Sequence, residues 1–299
     1  MEVSPPAVCE IREILEHHLP AFAHAPIKSL RGGWDNWVYA LGSEFVVKTP
    51  RRLEGSSQIF KEACVIREMH GTPGLPVSRS TKTAVRPNYP QIPVLIYRKI
   101  EGSPIGSRKL SLSEVHSLAT DFISAFNRIH SLDMASRCRG LVPVYSRRTW
   151  KSQVHRRLLG FASAVRPHVE SQLYGDVLRV LEQWRSSAFS EKFEPCFIHG
   201  DVDPRNIIVR ERRLSGLIDW GDCCIGDPAL DYAGLFFDRR LGTRVLQLAR
   251  KTDDDSLAAR TAFYVALAPL YTVFYGIRDG RKTLFEKGLK ALRSSLAYL

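Results

Sequence analysis

An α+β fold is what this sequence predicts, and three patterns predict it. Strand-like runs of β-branched and aromatic residues crowd the first hundred positions: two lie either side of Gly32-Gly33 within 27–41, a third covers 44–49 and a fourth 92–100. From residue 111 onward the apolar spacing changes to the helical period, over 111–130, 148–164 and 171–186. A short β-hairpin is set into that helical part, with strands 206–210 and 214–218 either side of the charged turn Glu211-Arg212-Arg213.

Taken in order, residues 6–19 read as a packing helix. Val8, Ile11, Ile14, Leu15 and Leu19 form its apolar stripe, Glu10, Glu13 and Glu16 are expected in solvent, and Pro20 ends it. Gly32-Gly33 then separates two strands, a composition that lets backbone N–H groups approach phosphate oxygens and equally suits a hairpin turn. The third strand carries Lys48 near its end. The helix 56–70 follows, with Ile59, Phe60, Ala63, Ile66 and Met69 as apolar positions and Glu62 among them. A buried strand over 92–100 runs into the polar turn Glu101-Gly102-Ser103-Pro104. Ser111-Leu112-Ser113-Glu114 is a capping box that opens a helix on Val115, Leu118, Phe122, Ile123, Phe126 and Ile129. His130 at the end of that helix reads as a capping or surface histidine. Near the C-terminus, 262–277 reads as a buried helix pair or a kinked helix, too short for a membrane span and interrupted by Pro269.

The chemistry concentrates in His199-Gly200-Asp201-Val202-Asp203-Pro204-Arg205-Asn206 and, thirteen residues after Asn206, Asp219-Trp220-Gly221. Phosphoryl transfer requires a carboxylate beside the attacking hydroxyl and oxygen ligands that hold Mg²⁺ against the phosphates. An H-x-D-x-x-x-x-N loop followed by a hairpin ending in D-x-G supplies all three: Asp201 to accept the proton, Asn206 and Asp219 to hold the metal. The hairpin predicts that Asn206 and Asp219 come to the same end of a ribbon.

Those two motifs, with Gly226-Asp227-Pro228-Ala229-Leu230-Asp231-Tyr232, resemble the aminoglycoside phosphotransferase family of small-molecule kinases, and the helical C-terminus resembles its 2″-phosphotransferase and macrolide branch. The resemblance extends from about residue 30 to the C-terminus. It implies a bilobal, protein-kinase-like fold: a β-rich nucleotide lobe over 1–100 with a hinge near 97–102, and a helical catalytic lobe over 101–299. It also implies Mg²⁺ and ATP or GTP as phosphoryl donor. Gly32, Gly33, Asp35 and Asn36 match the family's nucleotide loop, Lys48 its phosphate-binding lysine, and Glu62 the lysine's partner on the following helix. Backbone groups near Arg98 and Ile100 would meet the purine, and Asp231 would brace the catalytic loop. Only Cys223-Cys224-Ile225-Gly226 lie between Asp222 and Asp227, and no arginine stands between His199 and Asp201. A phosphorylated activation segment and a peptide platform do not fit in that length, so a small-molecule acceptor is expected.

Composition bounds the rest. A hydrophobic share of 44% with 25% charged residues is that of an ordinary folded domain. The six cysteines form no C-x-x-C, which gives zinc and dithiol chemistry no support. The N-terminus has no signal pattern, and a cytoplasmic monomer without membrane or nucleic-acid partners is expected. The net charge of +12 includes ten basic residues against four acidic ones in 139–193, but no aromatic-basic repeat accompanies them. A polycationic aminoglycoside acceptor calls for acids, for which Asp222 and Asp238 are the candidates. Phe236, Phe237, Tyr271 and Tyr275 would instead suit a macrolide or another less charged sugar or metabolite. A nucleotide- or nucleic-acid-binding protein without turnover is the third reading.

Overall fold

A computed structural model describes residues 3–30, 35–70, 72, 74–78, 81–106, 108–249 and 254–297. The chain forms two compact units. Unit one comprises Met1–Gly106, Asp133–Val142 and Arg205–Cys223; unit two comprises Ser107–Leu132, Pro143–Pro204 and Cys224–Leu299. A single division near residue 100 therefore does not follow the packing. Segment 133–142 belongs to unit one because Arg137 bonds Glu68 at 2.8 Å and the Thr72 hydroxyl at 3.0 Å. The hairpin belongs there because it extends a ribbon begun by Ser103–Pro104.

In unit one, α1 (Val8–His18) precedes an antiparallel sheet of β1 (Ile27–Leu30), β2 (Asn36–Leu41), β3 (Phe45–Pro50), β4 (Thr81–Arg86) and β5 (Tyr89–Arg98), in spatial order β1-β2-β3-β5-β4, with α2 (Ser56–Met69) between β3 and β4 in sequence. The two-residue period of β3 decides what each face meets. Phe45 and Val47 join Ile11, Ile14 and Leu15 of α1 in one apolar cluster. Val46 points the other way and joins Leu95 and Tyr97 with Ile59 and Ala63 of α2. Each such burial is worth about 1.5–3 kcal/mol. Lys48, two positions beyond Val46, falls on the α2 face by the same alternation.

Two expectations for this unit are corrected. Glu10 does not face solvent: it is 6% exposed, because the Arg86 guanidinium at the end of β4 grips its two oxygens at 2.7 and 2.8 Å. Val8, counted in the apolar stripe, is instead 51% exposed. Strand β4 itself was not predicted; Thr81-Lys82-Thr83-Ala84-Val85-Arg86 lies at the sheet edge, where its mixed polarity shows no clear alternation.

The ribbon consists of β6 (Ser103–Pro104), β8 (Ile207–Arg210) and β9 (Arg213–Leu217), with β7 falling in unit two. Its turn is two residues rather than three, since Arg213 pairs with Arg210. Glu211 and Arg212 both have positive φ, 51° and 64°. That is the geometry of a type I′ hairpin, which ordinarily selects Asn-Gly.

Unit two holds α3 (Leu112–Ile129), which ends just before α4 (Leu132–Cys138), then α5 (Arg147–Val165) and α6 (Ser171–Ser186). The short strands β7 (Cys196–Ile198) and β10 (Cys224–Gly226) pair antiparallel. They are followed by α7 (Ala229–Ala233), α8 (Arg239–Ala249), α9 (Leu257–Arg278) and α10 (Lys282–Leu296). The predicted capping box of α3 is present in full. The run 262–277 is neither a helix pair nor too short to span a membrane: it is the interior of α9, one helix of 22 residues with Pro269 inside it. By length and composition α9 could cross a membrane, but half of its most apolar window is buried in the fold, where α9 packs on α10, α7 and α5.

The turn of the ribbon generates a stability prediction. Replacing Glu211→Asn together with Arg212→Gly relieves two left-handed side-chain-bearing positions and should stabilise the protein by about 1 kcal/mol. The thermal midpoint should rise by about 2–4 °C. A midpoint that stays put or falls would mean that the turn carries no such strain.

Candidate active site

The candidate site begins with a charge that the β3 alternation forces into the interior. Lys48 is 3% exposed and Glu62 1%, and their side chains meet at 2.6 Å. On the other side of the ammonium, Asp219 Oδ1 accepts a hydrogen bond from the same Nζ at 2.7 Å. Burial works against the charge on Lys48, but the Asp219 and Glu62 carboxylates outweigh it and hold the amine protonated, above its ordinary range. Burial also pushes the Glu62 carboxyl up, and Lys48 opposes this. The second Glu62 oxygen accepts the Trp220 backbone N–H at 3.2 Å, which ties α2 to the residue after Asp219.

The ribbon carries the two candidate oxygen ligands. Ile207 pairs with Leu217, and the Ile218 N–H donates to the Asn206 carbonyl at 3.0 Å, so Asn206 and Asp219 stand at the same end of the ribbon. Asp219 adopts a left-handed conformation (φ 67°, ψ 64°), which is costly for a residue with a side chain and accumulates at functional positions. The pair fits a magnesium ion: both side chains offer hard oxygens, and the Asp219 side chain is 41% exposed. Among the described residues no group of three or more His, Cys, Asp or Glu could hold a metal.

In unit two the pairing of β7 with β10 presents the loop that starts at His199. Asp231, fully buried on α7, accepts the His199 N–H on Oδ2 and the Gly200 N–H on Oδ1, each at 2.9 Å. Gly200 has φ 81°, a left-handed turn that favours glycine, immediately before Asp201. The Asp201 N–H donates to His199 Nδ1 at 3.2 Å. His130 is not a surface residue: it caps α3, its side chain is 11% exposed, and Nε2 lies 2.9 Å from Asp231 Oδ2. Burial alone would raise the Asp231 carboxyl; the bonds and charge from His130, with His199 and the Gly200 amide, bring it below the usual carboxylate range. The helix that carries Asp231 is anchored at its start by Asp227, which accepts from Arg260 at 2.9 Å, Tyr264 at 3.0 Å and the Ala229 N–H at 3.0 Å. Sequence reasoning missed Arg260 and the partner of His130.

The remaining predicted residues lie on several elements. Gly32 and Gly33 lie outside the described residues. Asp35 faces Arg52 at 3.7 Å, and Asn36 opens β2 with its carbonyl accepting from Arg51. The Arg98 carbonyl accepts the Ser78 hydroxyl at 2.9 Å, and Ile100 fills the space a side chain would need at Gly216. Asp222 is exposed. Asp238 caps α8 through the Arg240 and Leu241 amides and pairs with the Arg240 guanidinium at 2.7 Å. Tyr271 packs against Phe161 beneath Arg157, and Tyr275 lies beneath Arg278.

Comparison with known proteins bears on this arrangement. Residues 26–264 match the model of the phosphotransferase enzyme family. Viomycin phosphotransferase of Streptomyces vinaceus is 24% identical over 292 residues, covering 94% of this chain and 98% of that protein. Aminoglycoside 2'-phosphotransferase-IIIa in its GDP complex superposes with a TM-score of 0.81 at 19% identity, covering 98% of this chain and 99% of that one. Macrolide 2'-phosphotransferase type I gives a TM-score of 0.66 at 18% identity, covering 98% of each chain. At these identities the solved structures speak for the fold, which is the kinase-like α+β fold that the resemblance implied.

The Asp231 brace generates a prediction with a definite pH sign. Its folded value is depressed, so its contribution is complete above the unfolded value of about 3.9 and is lost as pH falls through the lower folded value. In urea unfolding near neutral pH, Asp231→Asn should be destabilised by about 2–4 kcal/mol. The gap to the unsubstituted protein should narrow below about pH 4. A gap unchanged through acid would show that the Asp231 charge is not what stabilises the loop.

Proposed function

Since the chain belongs to the phosphotransferase enzyme family, we propose that it transfers the γ-phosphoryl group of ATP or GTP to a hydroxyl of an antibiotic, with an aminoglycoside as first acceptor. The observation that carries this reading is the buried Lys48 ammonium held between Glu62 and Asp219. A charge so expensive to bury, fixed at the end of a strand by a helix carboxylate, is the fixture that nucleotide phosphates require.

The roles follow from the donor atoms. Lys48 binds the α- and β-phosphates, and Glu62 keeps the amine in place. Asn206 and Asp219 would hold Mg²⁺, which when bound neutralises charge on the β- and γ-phosphate oxygens. Asp201 accepts the proton of the acceptor hydroxyl as its oxygen bonds to the γ-phosphorus and the bond to the β–γ bridging oxygen breaks. The products are a phosphate ester and the nucleoside diphosphate. Four residues separate Asp201 from Asn206, and Asp201 follows directly on the His199–Gly200 backbone that Asp231 grips. A nucleotide-consuming enzyme of this kind belongs in the cytoplasm.

A macrolide or another less charged acceptor is the second reading, and specific contacts favour it. Asp238 is occupied by Arg240 and the α8 cap, and arginines cover the faces of Tyr271 and Tyr275. Those cations would repel a polycationic substrate.

Release of nucleoside diphosphate, measured with ATP and with GTP against kanamycin, a macrolide and viomycin, tests both readings. Turnover with at least one acceptor is expected. Asp201→Asn should lower kcat by about 10²–10⁴-fold while Mg-nucleotide affinity is retained. Lys48→Met should instead weaken nucleotide binding. Transfer to none of the acceptors, or an Asp201→Asn variant that turns over normally, would sink the proposal.

A further inference from the structure

Arg51, the residue after β3, has no part in the mechanism above, yet several contacts converge on it. Its N–H donates to the Asp35 carbonyl at 2.8 Å, and its Nε donates to the Asn36 carbonyl at 3.1 Å. Its guanidinium lies on the Trp37 ring, 3.7 Å from the centroid. Its carbonyl accepts the Val3 N–H at 2.7 Å, and the Val3 carbonyl accepts Trp37 Nε1 at 3.3 Å. Arg51, Trp37 and Val3 thus close a ring of contacts. The strap 3–6 that supplies Val3 is itself held along the sheet: Arg86 donates to the Ser4 carbonyl at 2.7 Å and the Tyr39 hydroxyl to the Pro6 carbonyl at 3.4 Å. An arginine side chain in solvent samples many rotamers. The ring and the strap restrict this one to the rotamer that places Nε on Asn36.

The strand period separates this ring from the phosphate lysine and also links the two. Trp37 and Tyr39 pack on the α1 side of the sheet, and Val38 packs on the α2 side. Val38 stands opposite Lys48, and Asn36 stands opposite Pro50. By alternation the Asn36 side chain shares the face of Val38 and Lys48. It lies about 7 Å along β2 from the level of Lys48. Arg51 works from the other face: it binds the carbonyls of Asp35 and Asn36 behind the surface on which Lys48 stands. Lys48 and Arg51 come from one strand and its exit, so the spacing between the amine and the start of β2 is set by a short piece of rigid backbone.

We propose that Arg51 is a positioning residue for the nucleotide: by holding the Asp35 and Asn36 carbonyls from the face opposite Lys48, it fixes where the start of β2 stands relative to the phosphates. The proposal rests on the reading of Lys48 as the phosphate-binding lysine. Its scale follows from populations, because an arrangement kept by only about a tenth of the molecules binds its ligand about tenfold more weakly.

The test compares Arg51→Ala and Arg51→Lys in the full chain. It uses calorimetric titration with Mg-ADP and Mg-GDP, steady-state kinetics, and hydrogen exchange at the backbone amides of Val3 and position 51. Arg51→Ala should bind the nucleoside diphosphate about tenfold more weakly. The nucleotide KM should rise to match, while kcat and the acceptor KM stay within about twofold. Exchange at the two amides should quicken by about tenfold or more. Lysine keeps a cation that can donate to the Asn36 carbonyl, so Arg51→Lys should bind within about threefold of the unsubstituted protein and regain most of the protection. The proposal is overturned if Arg51→Ala keeps its nucleotide affinity, if kcat or the acceptor KM moves in step with the nucleotide KM, or if lysine restores neither readout. Should the unsubstituted protein bind neither nucleotide, the reading of Lys48 has failed and the role of Arg51 with it. Should it bind nucleotide but transfer phosphate to no acceptor, only the phosphoryl-transfer reading has failed. Titration and exchange then decide for Arg51: affinity and protection unchanged in Arg51→Ala overturn its role, and their loss with recovery by lysine supports it.

Discussion

A single ammonium group, Lys48 Nζ, holds together three elements of unit one that come from distant parts of the chain. It lies 2.6 Å from a carboxylate on α2 and 2.7 Å from one at the end of the ribbon. Apolar packing settles α2 against the sheet, but such contact tolerates sliding by a fraction of an ångström. A buried ion pair does not, since removing one partner leaves an uncompensated charge that costs about 3–5 kcal/mol. The register of α2 on β3 and the height of Asp219 on the ribbon are therefore fixed by charge.

Unit two solves a similar problem with anions. Helix α7 is five residues long, too short to be stable by its own hydrogen bonds. Asp227, just before its start, and Asp231, at its middle, stand about one turn apart, both fully buried. Asp227 fastens the helix to α9 through Arg260 and Tyr264, and Asp231 reaches back to the loop after β7. Gly226, just before the first of them, has the Trp150 ring where a Cβ would be, at 2.6 Å. The strand must end there on glycine for the anchor to seat.

What could be read from the sequence was local or periodic. The capping box of α3, the alternation that turns Lys48 toward α2, the hairpin that aligns Asn206 with Asp219, and the order of His199, Asp201, Asn206 and Asp219 are all expressed within a few residues or along one repeat. What could not be read depends on a partner far along the chain. Glu10 looks like a solvent residue until Arg86, 76 positions on, is beside it. His130 looks like a helix cap until Asp231 arrives from 101 positions away. Asp238 looked like an acid offered to a substrate, yet the start of α8 takes up its oxygens. Charge pairing at long range leaves no mark on composition or period. The buried polar residues are accordingly where expectation and structure part.

The strand β10 has a consequence for how activity is governed. The few residues after Asp222 are hydrogen-bonded along β7, so no slack remains that a modifying enzyme could tag, swing out or fold back. The stretch between Asp222 and Asp227 is thus a strand and not a loop that a modification could reposition.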